Sequence, residues 1–328
     1  MFTRLSRLHP NIQILVVAIG GILLWSGGFT NMPLPLKGSE LSPLYEWAFG
    51  WTFNSGLLSI IMAFILMSSA AILLHVIVVD AGLLPRNNFI PPLVTMLVLT
   101  YIPDMLRLSP ILPANLLLVL SLGMMIRMRL QTQSYQDIFS AGLFLALATL
   151  FNPYHAFFIP LIWFALILFR TGSFREWIIS ILGILTPFGY TLFIVFWNNQ
   201  VMETLEIYRN FFQTFRFFKG FEVQPLLTYV IPGLLAILIL PAFFRFTGRL
   251  NEKLIALRKS SMLLVWIFLL GLLSLTVLQS DWFLNGSVLL LAASVIISSY
   301  LIAVKKKRVP EILLALLATA VIAGRFIL

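Results

Sequence analysis

Long apolar stretches alternate with short polar segments along the whole chain. Eleven stretches stand out, at residues 12–25, 54–79, 89–102, 111–126, 138–151, 156–169, 177–197, 226–244, 261–278, 287–303 and 312–328. A helix needs about 20 apolar residues to cross the roughly 30 Å hydrocarbon core of a bilayer. The pattern therefore predicts an all-α fold, a polytopic transmembrane helical bundle with about 11 spans.

Two of these spans are open to more than one interpretation. The stretch 89–102 begins with Pro91 and Pro92, which suit the first turn of a helix. It either spans the membrane or forms a re-entrant hairpin. The stretch 12–25 is short unless it continues through Gly27. The polar gaps reach only about 30 residues, too few for a separate folded domain, so residues 1–328 are predicted to form a single integral membrane domain.

The basic residues gather in alternate gaps. Of the 22 Lys and Arg residues, 16 fall on one predicted side of the membrane. The other side holds only Lys37, Arg107, Arg209, Arg216, Lys219 and Arg325. Because cytoplasmic loops carry the excess of Lys and Arg, the asymmetry predicts a cytoplasmic N-terminus and a C-terminus outside. It also accounts for the net charge of +10, and no nucleic-acid partner is expected.

Two outer segments are longer than a turn. The first is an outer loop at residues 26–53. The second, at residues 198–225, is an aromatic segment in which Phe rings alternate with cations. Such a pattern is typical of a helix lying in the membrane interface, with its rings among the acyl chains and its cations among the headgroups.

Acidic residues of the outer segments are the candidate catalytic groups. Glu40 and Glu46 lie in the first outer loop, and Asp104 lies in the tight second one. A carboxylate at the membrane face can act as a general base. The alternative is that solvated loops simply need polar side chains.

The aromatic outer segment supplies a candidate phosphate or lipid site. Arg209, Arg216 and Lys219 follow one another at intervals of seven and three residues, which places them on one helical face. Arg suits bidentate phosphate contacts. The alternative is headgroup anchoring without specificity.

Other kinds of chemistry lack a sequence signal. There is no phosphate-binding P-loop, dinucleotide fingerprint or zinc-protease motif, so no cofactor is expected. The three histidines are predicted at different depths in the membrane: His9, His75 and His155. They cannot meet at one metal ion, so no metal site is predicted. The span cores carry no Asp, Glu, Lys or Arg, although proton- or ion-coupled carriers usually keep such a residue at membrane depth.

Most of the chain resembles a family of multi-pass bacterial inner-membrane proteins, a domain of unknown function, and the stretch from Phe89 to Arg175 is its most recognisable part. The resemblance rests on NNFIPPLVTMLVLTYIPDMLRLSPILPANLLLVLSLGMMIRMR, RTGSFREW and LTPFGY. It implies a location in the bacterial inner membrane. Members of this family are sometimes labelled beta-carotene 15,15′-monooxygenase. Carotene cleavage enzymes resemble iron proteins with several histidine ligands, and the three dispersed histidines disfavour that activity here.

A more distant resemblance is to GT-C type membrane glycosyltransferases. It rests on a short hairpin with a polar outer turn, a basic inner loop, a helix with the pattern AG…LA.AT, and a Pro-His turn. The resemblance implies use of a polyprenyl-phosphate sugar at the outer face. The family's signature Asp in the first outer loop is absent, so Glu40 or Glu46 would replace it as the base, with Asp104 as an auxiliary carboxylate.

Three functions therefore remain open. The first is a GT-C-like protein that binds or transfers a polyprenyl-phosphate-linked sugar. The second is a non-enzymatic subunit or scaffold of a cell-envelope assembly, with envelope proteins as partners. The third is a lipid or small-molecule transporter. Membrane lipids are expected partners in all three.

Overall fold

Helices make up the architecture of the computed structural model. It describes residues 10–37, 42–85, 88–129, 134–169, 173–199, 201–202, 204, 206, 209, 230–277, 286–304 and 308–327. The helices there are α1 (Pro10–Asn31), α2 (Pro43–Phe49), α3 (Gly56–Asp80), α4 (Ile90–Leu99), α5 (Ile111–Arg127), α6 (Tyr135–Phe151), α7 (Pro160–Phe169), α8 (Phe174–Trp197), α9 (Val230–Gly248), α10 (Ile255–Val277), α11 (Ser287–Ala303) and α12 (Arg308–Ile327). These residues contain no strand, which confirms the all-α class.

Four helical segments are long and apolar enough to cross a membrane. They are Gly56–Asp80, Phe174–Trp197, Val230–Glu252 and Ile255–Val277, which correspond to α3, α8, α9 with the turn that follows it, and α10. The other apolar helices that the search of the described residues found are shorter. Helices of this length and composition match the hydrocarbon core of a bilayer, and they place the chain among membrane proteins.

The first predicted outer loop is shorter than the sequence pattern indicates. Helix α1 continues to Asn31, so the loop begins later than residue 26, and part of it folds into α2. The end of α1 packs tightly against the start of α3. A Cβ on Gly56 would lie 2.2 Å from the Met32 carbonyl oxygen, so only glycine permits this approach.

Contacts between distant residues define two ends of the bundle. At one end, the Leu108 N–H donates to the Ser59 hydroxyl, near the start of α3, at 3.0 Å. At the other, the Arg129 guanidinium donates to the Ala81 carbonyl, just past the end of α3, at 3.0 Å. Because α5 lies between Leu108 and Arg129, α3 and α5 run in the same direction. We call these the Leu108 end and the Arg129 end.

Helix α4 is only ten residues long, yet its segment connects the two ends. The Phe89 N–H donates to Gln13 Oε1 at 2.9 Å, and the Phe89 ring lies 5.2 Å from that of His75, near the end of α3. A 3-10 turn, Pro103–Leu106, follows α4 and leads to Leu108. Residues 89–108 thus run from the Arg129 end to the Leu108 end.

Cations at the Arg129 end cap helices. The Arg129 guanidinium also donates to the Asp80 carbonyl at 3.3 Å and to the Ser260 hydroxyl at 3.2 Å. Arg245 donates to the Ala303 carbonyl, at the end of α11, at 3.0 Å. The last carbonyls of a helix have no partner within it and carry partial negative charge. These two arginines therefore stabilise the ends of α3 and α11.

Helices α6 and α8 pack closely because both carry glycine at their crossing. A Cβ on Gly142 would lie 2.8 Å from the Ser180 carbonyl oxygen, and one on Gly183 would lie 2.4 Å from the Phe139 carbonyl oxygen. Small residues let helix backbones approach in this way in membrane bundles. The crossing fixes α6 and the turn after it, which carries part of the polar network described below.

Candidate functional site

Helix α2 is docked onto the Leu108 end through Tyr45. The fully buried Tyr45 hydroxyl lies 2.9 Å from the Leu36 carbonyl oxygen and 3.1 Å from the Leu108 carbonyl oxygen, and it donates towards both. The Leu36 N–H also donates to the Leu108 carbonyl at 2.8 Å. These bonds join the first predicted outer loop to the second.

The environment of Tyr45 favours its neutral form. Burial raises the pKa of Tyr45, and the positive charge of Arg107 opposes that shift. The Tyr45 ring lies 5.7 Å from each of the Phe49 and Phe53 rings, and the Phe49 ring lies 6.4 Å from that of Phe151 at the end of α6. Apolar ring contacts and the two carbonyl bonds together hold α2 in place.

Asp104 is bound by a neighbouring cation. The Arg107 Nε donates to Asp104 Oδ1 at 2.9 Å, and Arg107 Nη2 donates to the same oxygen. Both side chains are about one-third exposed, at 32% for Arg107 and 37% for Asp104. The candidate auxiliary carboxylate therefore belongs to an ion pair, a feature that the sequence analysis did not predict.

Of the two glutamates in the first predicted outer loop, the structure describes Glu46. Glu46 lies on α2 with an exposed side chain, next to the buried Tyr45. Trp47 and Trp51 beside it are 85% and 61% exposed. Glu40 lies outside the described residues. Because Tyr45 contacts Leu108, helix α2 is fixed against residues 103–108, which carry Asp104 and Arg107. We call α2 and residues 103–108 the docked assembly, and Glu46 belongs to it.

The predicted phosphate cluster falls mostly outside the described residues. Arg209 is described and exposed, whereas Arg216 and Lys219 are not described. The same holds for most of the aromatic segment 198–225. Its place as an interfacial helix remains a prediction.

A buried polar network that the sequence pattern did not predict lies at the Leu108 end. The Asn152 amide nitrogen and His155 Nδ1 are 3.1 Å apart, and His155 Nε2 and Asn115 Oδ1 are also 3.1 Å apart. The Asn115 amide nitrogen donates to the Ser287 hydroxyl at 2.9 Å. All four side chains are buried. The network links α5, α11 and the turn between α6 and α7.

The hydrogen bonds assign the state of His155. An amide nitrogen can only donate, so His155 Nδ1 accepts from Asn152 and the ring proton sits on Nε2. That proton is donated to Asn115. Both nitrogens of the neutral imidazole are engaged, which suits an interhelical connector better than a nucleophile or a metal ligand. Among the described residues, no three His, Asp or Glu side chains form a group suited to a metal ion.

Some of these residues carried a detectable signal. Asn115 is an amide in an otherwise apolar stretch, and His155 follows the Asn-Pro-Tyr turn. Polar side chains at membrane depth usually find partners on other helices. The identity of those partners had no signal, because Asn115 and Ser287 are 172 positions apart.

The Leu108 end can therefore present a carboxylate, a carboxylate–guanidinium pair and exposed indole rings on one docked assembly. These groups suit general-base chemistry and anion binding near a membrane interface. No family model, curated protein or solved structure matches this chain.

Proposed function

We propose that this protein crosses a bacterial inner membrane eleven times and binds a polyprenyl-phosphate-linked sugar at its outer face, in the manner of GT-C type glycosyltransferases. The Leu108 end faces outwards and the Arg129 end faces the cytoplasm. Glu46 or Glu40 serves as the base, Asp104 is the auxiliary carboxylate, and Arg209, Arg216 and Lys219 contact the phosphate.

The order of helix directions supports the topology. Helix α10 begins near the Arg129 end, where Ser260 meets Arg129, and approaches the start of α11 further along, where Gly271 meets Leu289. Helices α9 and α11 end near each other, where Arg245 meets Ala303. From α3 to α11 successive helices thus alternate in direction, and α1 and α12 bring the proposed passages to eleven.

The charge distribution supports the orientation. Arg129, Arg245 and Lys253 belong to the Arg129 end, and cytoplasmic loops carry the excess of Lys and Arg. The chain has no cysteine, so single cysteines report accessibility without background. An impermeant thiol reagent should label Lys37→Cys in intact cells and Glu252→Cys only after lysis. Labelling of both in intact cells would refute the orientation.

The observation that carries the proposal is the docking of the first outer loop on the second. The Tyr45–Leu108 contact of 3.1 Å holds Glu46 on the assembly that contains Asp104 and Arg107. A loop fixed in this way can keep a general base in register with a substrate at the interface. The same contact restricts how far α2 moves away from the bundle.

The proposed reaction transfers the sugar to an acceptor hydroxyl and releases polyprenyl phosphate. A carboxylate takes the proton from an acceptor hydroxyl while that oxygen forms a bond to the anomeric carbon. The bond between that carbon and the phosphate oxygen breaks, and polyprenyl phosphate leaves with the electron pair. The carboxylate lowers the barrier by removing the proton, and cations stabilise the leaving phosphate.

Lipid analysis of the purified protein tests this function. A polyprenyl phosphate or its sugar derivative should co-purify with the wild type. Replacing the base, as Glu46→Gln or Glu40→Gln, should lower transfer by about 100-fold or more without removing the lipid. Glu252→Gln is the matched control, since Glu252 is an exposed carboxylate at the Arg129 end. Absence of any polyprenyl phosphate from the wild type would refute the function.

The exposure of Trp47 and Trp51 favours a second candidate, a subunit of an envelope assembly. Exposed tryptophans are enriched among residues that dominate binding energy at protein interfaces. In that case Trp47→Ala with Trp51→Ala would release a co-purifying protein, and the glutamate variants would have no phenotype. The opposite pattern would favour the glycosyltransferase-like function.

A further inference from the structure

Ser109 is buried at the Leu108 end without a hydrogen-bond partner. Its side chain is fully buried, and its hydroxyl has no partner among the described groups. A buried hydroxyl without a partner carries a desolvation cost that a packed interior rarely tolerates. Such a group is a reason to look for a ligand at this point of the fold.

Arg107 lies two residues before Ser109, and some of its guanidinium N–H groups take no part in its ion pair. Its backbone is extended, with φ −115° and ψ 156°, and side chains two positions apart in an extended segment share a face. Two of the five guanidinium N–H groups point to Asp104 Oδ1. Three donors therefore remain outside the ion pair, on a cation that is about one-third exposed.

The start of α5 adds positive potential to the same place. Helix α5 begins at Ile111 and is 17 residues long. The first N–H groups of a helix lack partners within it and bear partial positive charge, which favours anions. No side chain caps this helix, because Pro110 occupies the cap position without a side-chain hydrogen bond. The Leu112 N–H donates to the Ser109 carbonyl oxygen at 3.2 Å, and Pro113 has no N–H, so the Ile111 N–H is the donor of this turn that can meet an anion.

The backbone groups of Leu108 are already hydrogen-bonded, so Arg107 and Ser109 supply the polar groups of this turn that can bind a ligand. Its carbonyl oxygen accepts from Tyr45 and Leu36, and its N–H donates to Ser59. The Leu36 contact also brings the exposed Lys37 next to the turn. A second cation therefore lies beside this turn.

We propose that Arg107, the Ser109 hydroxyl and the Ile111 N–H at the start of α5 bind the phosphate of a lipid phosphomonoester. We call these three groups the Arg107–Ser109 site. The proposal deepens the function above and rests on it for the choice of a lipid-linked ligand. It adds Arg107 and Ser109 to Arg209, Arg216 and Lys219, the cations proposed above to contact the phosphate. The phosphate oxygens accept from the guanidinium and from Ser109. Asp104 orients the guanidinium, and the chain of the ligand lies along the apolar surface of the bundle.

Three small probes separate the sources of phosphate. Geranyl phosphate carries both the phosphate and an isoprenoid chain, geraniol lacks the phosphate, and inorganic phosphate lacks the chain. Their affinities would be measured by calorimetry on the full-length protein in phosphatidylcholine nanodiscs. The variants are Arg107→Gln, Arg107→Lys and Ser109→Ala, and Arg249→Gln is the control for loss of a partly exposed arginine at the other end.

The proposal expects geranyl phosphate to bind the wild type and geraniol to bind at least tenfold more weakly. Arg107→Gln should weaken binding of geranyl phosphate by about tenfold or more, since bonds to charged groups are the strong ones. Ser109→Ala should weaken it by roughly threefold to tenfold. Arg107→Lys should retain part of the affinity, and Arg249→Gln should retain all of it. Equal binding of inorganic phosphate with the same dependence on Arg107 would support the phosphate site and assign its ligand as the free anion.

Unchanged affinity for geranyl phosphate in Arg107→Gln and Ser109→Ala would overturn the site, as would equal binding of geraniol. Ser109→Ala keeps the test decisive if Arg107→Gln fails to fold, because the Ser109 hydroxyl has no partner to lose among the residues that the structure describes. Absence of polyprenyl phosphate from the purified protein, together with Arg107-dependent binding of the probe, would refute the proposed function alone.

Discussion

The imidazole Nε2 of His155 lies 3.1 Å from the amide oxygen of Asn115, and 40 positions separate the two residues in the chain. This contact ties the turn after α6 to the second turn of α5. Asn115 in turn contacts Ser287 at the start of α11. A buried network with every member bonded specifies one arrangement of helices, because any slip leaves polar groups unpartnered.

Replacement of His155 by Phe should destabilise the protein by about 1–3 kcal/mol, because the amides of Asn152 and Asn115 lose their shared partner inside the bundle. His75→Phe is the matched control. His75 is also buried, but its Nδ1 has no hydrogen-bond partner in the described part of the chain, so a smaller loss is expected. Thermal unfolding in detergent measures both variants. Equal losses would show that the network contributes no more than packing.

Glycine at the crossing of α6 and α8 should tolerate no side chain. Gly183→Ala places a methyl group 2.4 Å from the Phe139 carbonyl oxygen, and such overpacking costs about 1–3 kcal/mol. Gly189→Ala lies on the same helix, and no neighbouring atom that the structure describes beyond the adjacent helix backbone lies within 4 Å of the new methyl. It should be neutral or stabilising by up to about 1 kcal/mol. A tolerated Gly183→Ala in unfolding experiments would contradict the close approach of the two helices.

Loss of the Tyr45 hydroxyl should loosen the docked α2. Tyr45→Phe removes both carbonyl contacts, at an expected cost of about 1 kcal/mol, which corresponds to roughly fivefold more frequent opening. The buried Thr52, placed as Thr52→Cys in this cysteine-free chain, should then react faster with a thiol reagent. Tyr190→Phe is the control, since Tyr190 is 71% exposed. Identical labelling rates in all backgrounds would count against the docking role.

Alkaline pH should release the same loop. Burial raises the pKa of Tyr45 in the fold, with Arg107 opposing, above the value of about 10 expected in an unfolded chain. The folded state therefore holds this proton more tightly, and the stabilisation is complete below about pH 10. It is lost as the pH rises further, because the unfolded chain releases the proton first.

The ratio of Thr52→Cys labelling to that of the exposed Trp47→Cys should therefore increase above about pH 10. The ratio corrects for the reactivity of the thiol itself. Tyr45→Phe should abolish the increase. A ratio independent of pH in the parent protein would show that ionisation of Tyr45 is not coupled to the docking of α2.

Particular helices show how far the sequence pattern reached. The stretch predicted at 287–303 coincides with α11, and the one at 111–126 differs from α5 by a single residue. Polar residues and prolines flank these stretches and end them clearly. Helix α1 ends at Asn31, beyond both residue 25 and the extension through Gly27 that the pattern left open. Packing beside Ile60 and Leu106 stabilises the helix there.

The candidate site was harder to predict from the sequence than the helices were. Glu46 and Asp104 were identified as acidic residues of neighbouring loops, but their relationship depends on Tyr45, which bonds across 63 positions to Leu108. Arg107 was counted as a loop cation, and only its geometry shows that it binds Asp104. Side-chain partners of this kind depend on which helices become neighbours, and the local pattern does not encode that choice.

By itself, the sequence determined that this chain is a membrane protein built from apolar helices, because hydropathy and length are local properties that a bilayer selects directly. The tertiary structure decided which polar groups meet. The Asn115–His155 contact, the Tyr45 docking and the unpartnered Ser109 all arise where segments distant in sequence are packed together. Burial makes each of these features energetically significant, because a polar group that is removed from water without a hydrogen-bond partner lowers the stability of the fold.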